Sequence, residues 1–396
     1  MNTIHEMFAA YQSSLNVDVT LASTRKVTFN LPQFSKNYFT ILCNEAKNAF
    51  KNDSTVIEID PPIVVIGDIH GHLLDMIRIF QSFGIPPLHK YLFLGDLVDR
   101  GEFSLETVTL IFIMKCLFPD KIFVVRGNHE FESVNEQNNF VTCIERNYPK
   151  SNIYKSFLEV FSYLPLAAII DKNTFCVHGG IGPYITSVND IRRIERPLNT
   201  LENEIVRNTV WSDPSEIVTG FEPSPRKIGY LYGKEPLFSF LQNSNFIRIL
   251  RGHSFVQTGI QKNFNDRCIT IFSASNYTGS KKNPSGVYVF LEKGKEKVEL
   301  FPPIEFFLRG CAKFNKINDG AEDNNENNKE TISKKDQLLN GKSKINMVKS
   351  FTTINSFRND QPRSPTRDGL PKPSYSNRCF NIIDPKLTMT TFKKKY

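Results

Sequence analysis

Six short apolar runs set the main constraint on this chain. They are VVIGDIHGH (64–72), KYLFLGDLVDR (90–100), KIFVVRGNHE (121–130), NTFCVHGG (173–180), NFIRILRGH (245–253) and RCITIFSASNY (267–277). Each packs a few β-branched or aromatic residues together and then stops at a glycine or a polar group. Runs of this length, bounded in this way, predict buried strands. Helix-like stretches lie between several of them: LLDMIRIFQSF, SLETVTLIFIMKCLF and YKSFLEVFSYL. That alternation predicts an α/β layer architecture, and on the residues alone it favours an open parallel sheet. In such sheets ligands gather outside the carboxyl ends of the strands.

The run ends carry one kind of chemistry. They present Asp68 and His70, then Asp96 with Asp99 and Arg100, then Asn128 and His129, then His178, His253 and finally Asn276 and Tyr277. Each motif alone has a plain reading. A D-x-H before glycine is mostly a turn, and a lone His in HGG is usually a loop or cap residue. Together they are not an accident, because four of the seven histidines, His70, His129, His178 and His253, sit at such ends. Asp68, His70, Asp96, Asn128, His178 and His253 offer carboxylate, imidazole and amide oxygen, a set suited to manganese, iron or zinc. Six ligands are too many for one tetrahedral zinc. They fit two divalent ions that share a carboxylate and leave positions for water. His72 and His89 read as surface or supporting groups.

Charge sharpens the domain reading. The net charge is +8, but residues 311–396 hold 17 Lys and Arg against 9 Asp and Glu, so the whole excess lies there. That segment is also poor in large apolar residues, which predicts disorder, and its basicity describes an appendage, not a nucleic-acid-binding domain. Seven cysteines without a C-x-x-C pair fit reduced thiols, hence a cytoplasmic or nuclear location. No secretory signal or membrane span is expected.

GDIHG, GDLVDRG, RGNHE, HGG, WSDP, RGH and SASNY, in this order and spacing, resemble the phosphoprotein-phosphatase (PPP) family of serine/threonine phosphatases. That family includes type-1, type-2A and calcineurin-type catalytic subunits, and the resemblance covers Leu31 to about Glu305. It implies an α+β metallophosphatase fold, a central β-sandwich flanked by helices, with a dimetal site at the strand ends. It also implies an N-terminal extension (1–30), a catalytic domain (31–306) and a disordered basic tail (307–396). By the same resemblance, Asp68 and His70 bind one metal, Asp96 bridges, and Asn128, His178 and His253 complete the second site, with manganese or iron and zinc as the ions. His129 is the general acid, oriented by Asp99. Arg100 and Arg226 clamp phosphate, with Asn128 and Tyr277 also lining its pocket. The implied reaction is direct hydrolysis of phosphoserine and phosphothreonine in proteins by a hydroxide shared between the metals, with a regulatory or targeting subunit as partner.

The chain departs from the family pattern at the rim: His72 for glutamine, Leu97 for tyrosine, Pro225 for aspartate, Ser275 for proline, and Thr278 where toxin-trapping relatives have cysteine. None is a proposed ligand, so the departures bear on substrate and inhibitor choice. Two alternatives are another metallophosphoesterase, such as a nuclease or dinucleotide polyphosphate hydrolase, and a non-catalytic module on the same scaffold. Arg100, WSDP and SPRKIG argue against the first, and the complete ligand set against the second. In the tail, Ser364 before Pro365 is a candidate phosphorylation site, and residues 344–357 interleave basic and apolar groups as a partner-binding segment would.

Overall fold

The computed structural model describes residues 2–318. Its centre is two sheets. One has five strands in the order Glu296–Phe301, Ser285–Phe290, Ile63–Ile66, Tyr91–Phe93 and Ile122–Val124. The other has six, in the order Ile260–Asn263, Cys268–Ile271, Arg248–Arg251, Thr174–Val177, Ala167–Ile170 and Val56–Ile59. The sandwich implied by the family resemblance is present, and the single open parallel sheet favoured by the run pattern alone is not. Ile63–Ile66 does pair in parallel with Tyr91–Phe93, and that strand with Ile122–Val124. Arg248–Arg251 is likewise parallel to both of its neighbours. Antiparallel strands complete each sheet.

The pattern misled for a physical reason: both faces of each sheet are covered. Val65, Leu92, Ile170, Leu250 and Ile271 turn inward to a core shared by the two sheets. Val64, Ile66, Tyr91, Phe93 and Val124 turn outward to the helices on the five-stranded sheet. Phe175, Val177 and Ile249 do the same beneath the helices on the other sheet. With no wet face, the strands read as continuous apolar runs, as in a doubly covered parallel sheet.

The helix Ser104–Leu117 lies within the first helical layer and is apolar almost all round. Its one buried cation, Lys115, is held by Asp53 at 2.8 Å and lies over the rings of Phe50 and Phe123. The N-terminal helix Asn2–Ala10 buries Ile4 and Met7 in the same core. Next to it, the Tyr11 hydroxyl donates to the Glu106 carbonyl at 3.2 Å.

Packed structure runs beyond the boundary expected at residue 306. Phe307 is buried against Phe29 and Phe103. Arg309 makes a two-pronged ion pair with buried Glu106 at 2.5 and 2.7 Å. Lys313–Ile317 then pairs in parallel with Asn30–Phe34. The tail's run of polar residues hid this strap because its anchors are only a few large side chains. Ser364 and the 344–357 segment lie outside the described residues.

Candidate metal centre and active site

The loops after the strands converge on one edge of the sandwich. A parallel bridge between Asp68 and Phe272 ties the two sheets together there. The backbone turns sharply at the functional positions: His70, Asp96, Asp99, Arg100, His253 and Asn276 have φ of 42°, 49°, 69°, 68°, 64° and 43°. Non-glycine residues adopt this left-handed region at a steric cost, and such strain concentrates where geometry is functional. Two glycines permit the close approach. A Cβ on Gly127 would stand 2.3 Å from the Asp96 carboxylate, and one on Gly95 would stand 2.4 Å from the Gly127 nitrogen.

All six expected metal ligands meet and all are buried. His70 Nδ1 faces the Val98 carbonyl at 2.8 Å and His178 Nδ1 the Leu94 carbonyl at 2.7 Å. Donation from Nδ1 leaves Nε2 of each ring as a lone-pair donor aimed inward, the usual device for orienting a ligating imidazole. His70 Nε2 lies 3.4 Å from Asp96 Oδ2, and His178 Nε2 lies 3.3 Å from Asp96 Oδ1. His178 Nε2, His253 Nδ1 and Asn128 Oδ1 stand 2.9–3.2 Å from one another. Asp68 accepts from the His253 backbone N–H at 2.7 Å.

Two sets of ligand atoms lie within 4.8 Å of one another: His70, Asp96, His129, and Asp96, His178, His253. Asp96 belongs to both, as a bridging carboxylate would. The donor set fits divalent cations. Burial holds the imidazoles of His70, His178 and His253 well below their usual range, so they are neutral. Neutral imidazole nitrogens and an amide oxygen this close present lone pair to lone pair unless a cation lies among them. Burial also raises Asp68 to about 7, and burial with the neighbouring Asp68 raises Asp96 well above the carboxylate range. Those protons are what a metal displaces on binding.

His129 sits beside this cluster, its ring 4.8 Å from that of His70. Its backbone N–H donates to Asp96 at 3.0 Å, and Nδ1 meets Asp99 Oδ2 at 2.7 Å. Asp99 is fixed in turn by the Phe140 N–H at 3.0 Å. Burial pushes Asp99 up to about 7, and burial with the nearby Arg100 pushes His129 down to about 3, so the pair holds one proton near neutrality.

Arg100 is exposed at the mouth, with no hydrogen-bond or ion-pair partner among the described residues. Arg226 is placed differently: Asp213 holds its Nε at 2.7 Å. Its charge still reaches Asp68 and His253. The Tyr277 ring lies 5.6 Å from that of His70.

Three supporting residues were given no role in the sequence analysis. Glu130 is fully buried and accepts the backbone N–H groups of Asp96, Leu97 and Gly127 at 2.8–2.9 Å, which locks two ligand loops together. Asp213 joins Arg226, Arg251 and Ser254. Buried Arg251 donates to the Gly179 carbonyl at 2.8 Å, joining the loops of His253 and His178. All three stand inside motifs read for other residues: RGNHE, WSDP and RGH. A charged residue in a strand-end motif with no ligand role was the available signal.

The family model for calcineurin-like phosphoesterases matches residues 61–257. The chain is 37% identical over 264 residues to a serine/threonine-protein phosphatase 4 catalytic subunit from Candida glabrata, across 67% of this chain and 85% of that one. A solved Saccharomyces cerevisiae protein serine/threonine phosphatase, described as similar to human phosphatase PP5, superposes with a TM-score of 0.64. Identity to it is 30%, over 68% of this chain and 91% of that one. With the ligand cluster, the acid pair and the sandwich in place, the chain belongs to the phosphoprotein-phosphatase family of metallophosphoesterases.

Proposed function

We propose that this chain hydrolyses phosphoserine and phosphothreonine in proteins, using two divalent metal ions. The observation that carries the reading is the unpartnered Arg100 guanidinium beside the His129–Asp99 pair and the buried ligand cluster. Manganese, or iron with zinc, would be held by Asp68, His70, Asp96, Asn128, His178 and His253. When bound, the ions offset the charge of a phosphate dianion and acidify water near neutral pH. The chain's own groups supply the rest. Arg100 presents a planar fork to two phosphate oxygens, which a lysine does not. Arg226, held by Asp213, adds positive charge on the other side. His129 gives its proton to the serine or threonine oxygen as that bond breaks, and Asp99 keeps Nε2 facing the leaving group. Tyr277 closes one wall of the pocket.

The Candida glabrata relative is named as a catalytic subunit, which supports a regulatory or targeting partner here too. The six described cysteines are free, which supports a reducing compartment, the cytoplasm or nucleus. No described helix is long and apolar enough to cross a membrane.

The test is turnover by the manganese-loaded chain of a phosphoserine peptide, a small aryl phosphate and a bis-phosphodiester. Hydrolysis of the first two, with both impaired in Arg100→Lys, is expected. Activity on the diester alone would overturn the reading.

A further inference from the structure

The wall beside Tyr277 extends outward in a direction the reaction itself does not require. Phe255 stacks on Tyr277 with centroids 5.9 Å apart and planes 21° from parallel. Lys281 Nζ then lies 5.8 Å from the Phe255 ring centroid. A continuous strip thus runs from the metal ligand His70 through two aromatic faces to an ammonium group. Phe255, Lys281 and Lys282 are exposed.

The strip is built, not draped. Asn283 is fully buried and accepts the Tyr277 N–H at 3.0 Å, while its amide donates to the Ala274 carbonyl at 2.8 Å. Gln257 donates to the Lys281 carbonyl at 3.0 Å, tying the two loops together. The charge is uncompensated. The segments 252–262 and 272–286 contain no aspartate or glutamate. Neither Lys281 nor Lys282 forms an ion pair among the described residues, whereas Arg226 and Arg251 at the same mouth are both held by Asp213. Unpaired cations at the end of an apolar shelf complement an anionic group carried on an extended segment.

We infer that the Phe255–Lys281–Lys282 strip is a specificity site for an anionic side chain, carboxylate or phosphate, flanking the phosphoresidue of a substrate. The inference rests on the protein-phosphatase reading above. An extended peptide advances about 3.3 Å per residue, so the anion falls within roughly five positions of the phosphoserine. The aromatic faces carry the intervening side chains.

The experiment uses the full manganese-loaded chain and phosphoserine peptides of one length. Their flanks carry aspartates, a second phosphoserine, neutral residues or arginines, on either side. Wild type is expected to favour the anionic flanks roughly 3- to 10-fold in kcat/KM, mostly through KM, an effect consistent with one or two exposed ion pairs. The preference should shrink as salt is raised. The double substitution Lys281→Glu, Lys282→Glu should reverse it, and Lys281→Arg, Lys282→Arg should keep it. Aryl phosphate turnover should be unchanged in both. The two anionic peptides show whether carboxylate or phosphate is the better occupant. Equal rates on all flanks, or a preference that survives the charge reversal, would overturn the site alone. Turnover of aryl phosphate with none of the peptides would overturn the protein-phosphatase reading and this site with it.

Discussion

In the helical layer, Phe112, Phe157 and Phe161 pack ring on ring at 5.8–6.3 Å, all fully buried. At the strand-end rim, buried carboxylates and imidazoles crowd together on left-handed backbone. The first region gains free energy from apolar burial and ring packing. The second stores strain and desolvation that the rest of the fold must offset. The comparison teaches that stability and chemistry are separately located, so a substitution in one region should leave the other's property nearly intact.

The largest expected effect is at the rim. His129→Asn should slow turnover by roughly 10²–10⁴, the usual contribution of a general acid, with melting temperature and metal content little changed. Unchanged turnover would remove His129 from the mechanism. Loss of metal would make it a ligand, a role its closeness to His70 and Asp96 also permits.

In the helical layer, Phe157→Ala should cost about 3–5 kcal/mol in urea unfolding, with kcat per folded molecule unchanged. If kcat fell in proportion, the two regions would not be separable. The strap touches both regions, since Phe306 lies 5.7 Å from His72 while Arg309 grips Glu106. Arg309→Ala should cost about 1.5–3 kcal/mol, the range for a hydrogen bond to a charged group. A loss near zero would mean that the chain after Phe307 is dispensable for folding. The smallest effect is expected at Thr278, a β-branched residue at φ 53°. Thr278→Gly should raise stability by about 0.5–1 kcal/mol and leave aryl phosphate turnover alone.

The candidate site was largely legible because its ligands follow short apolar runs, and a run that stops at a charged group announces its own use. Asp68, His70, Asp96, Asn128, His178 and His253 all meet where the strand ends meet. What the runs did not disclose was how the strands divide between two sheets. Residues such as Val64 and Val65 face opposite cores, yet both are apolar, so no period of two survives. Glu130 and Asp213 were hidden for another reason: their partners are backbone groups and side chains distant in sequence. The strap went unseen because Phe307 and Arg309 are few anchors in a polar stretch, and their partners Phe29, Phe103 and Glu106 lie 203 or more residues earlier.

The central claim is that six strand-end ligands hold two ions with Asp96 shared between them. Its most direct test is the metal content of the purified chain after saturation with manganese and removal of excess, measured for wild type and Asp96→Ala. The account expects about two ions per wild-type chain, as two-metal hydrolytic sites require. It expects a clear deficit in Asp96→Ala with far-ultraviolet circular dichroism unchanged. A wild-type chain that holds one ion or none, or an Asp96→Ala chain that keeps both, would contradict it.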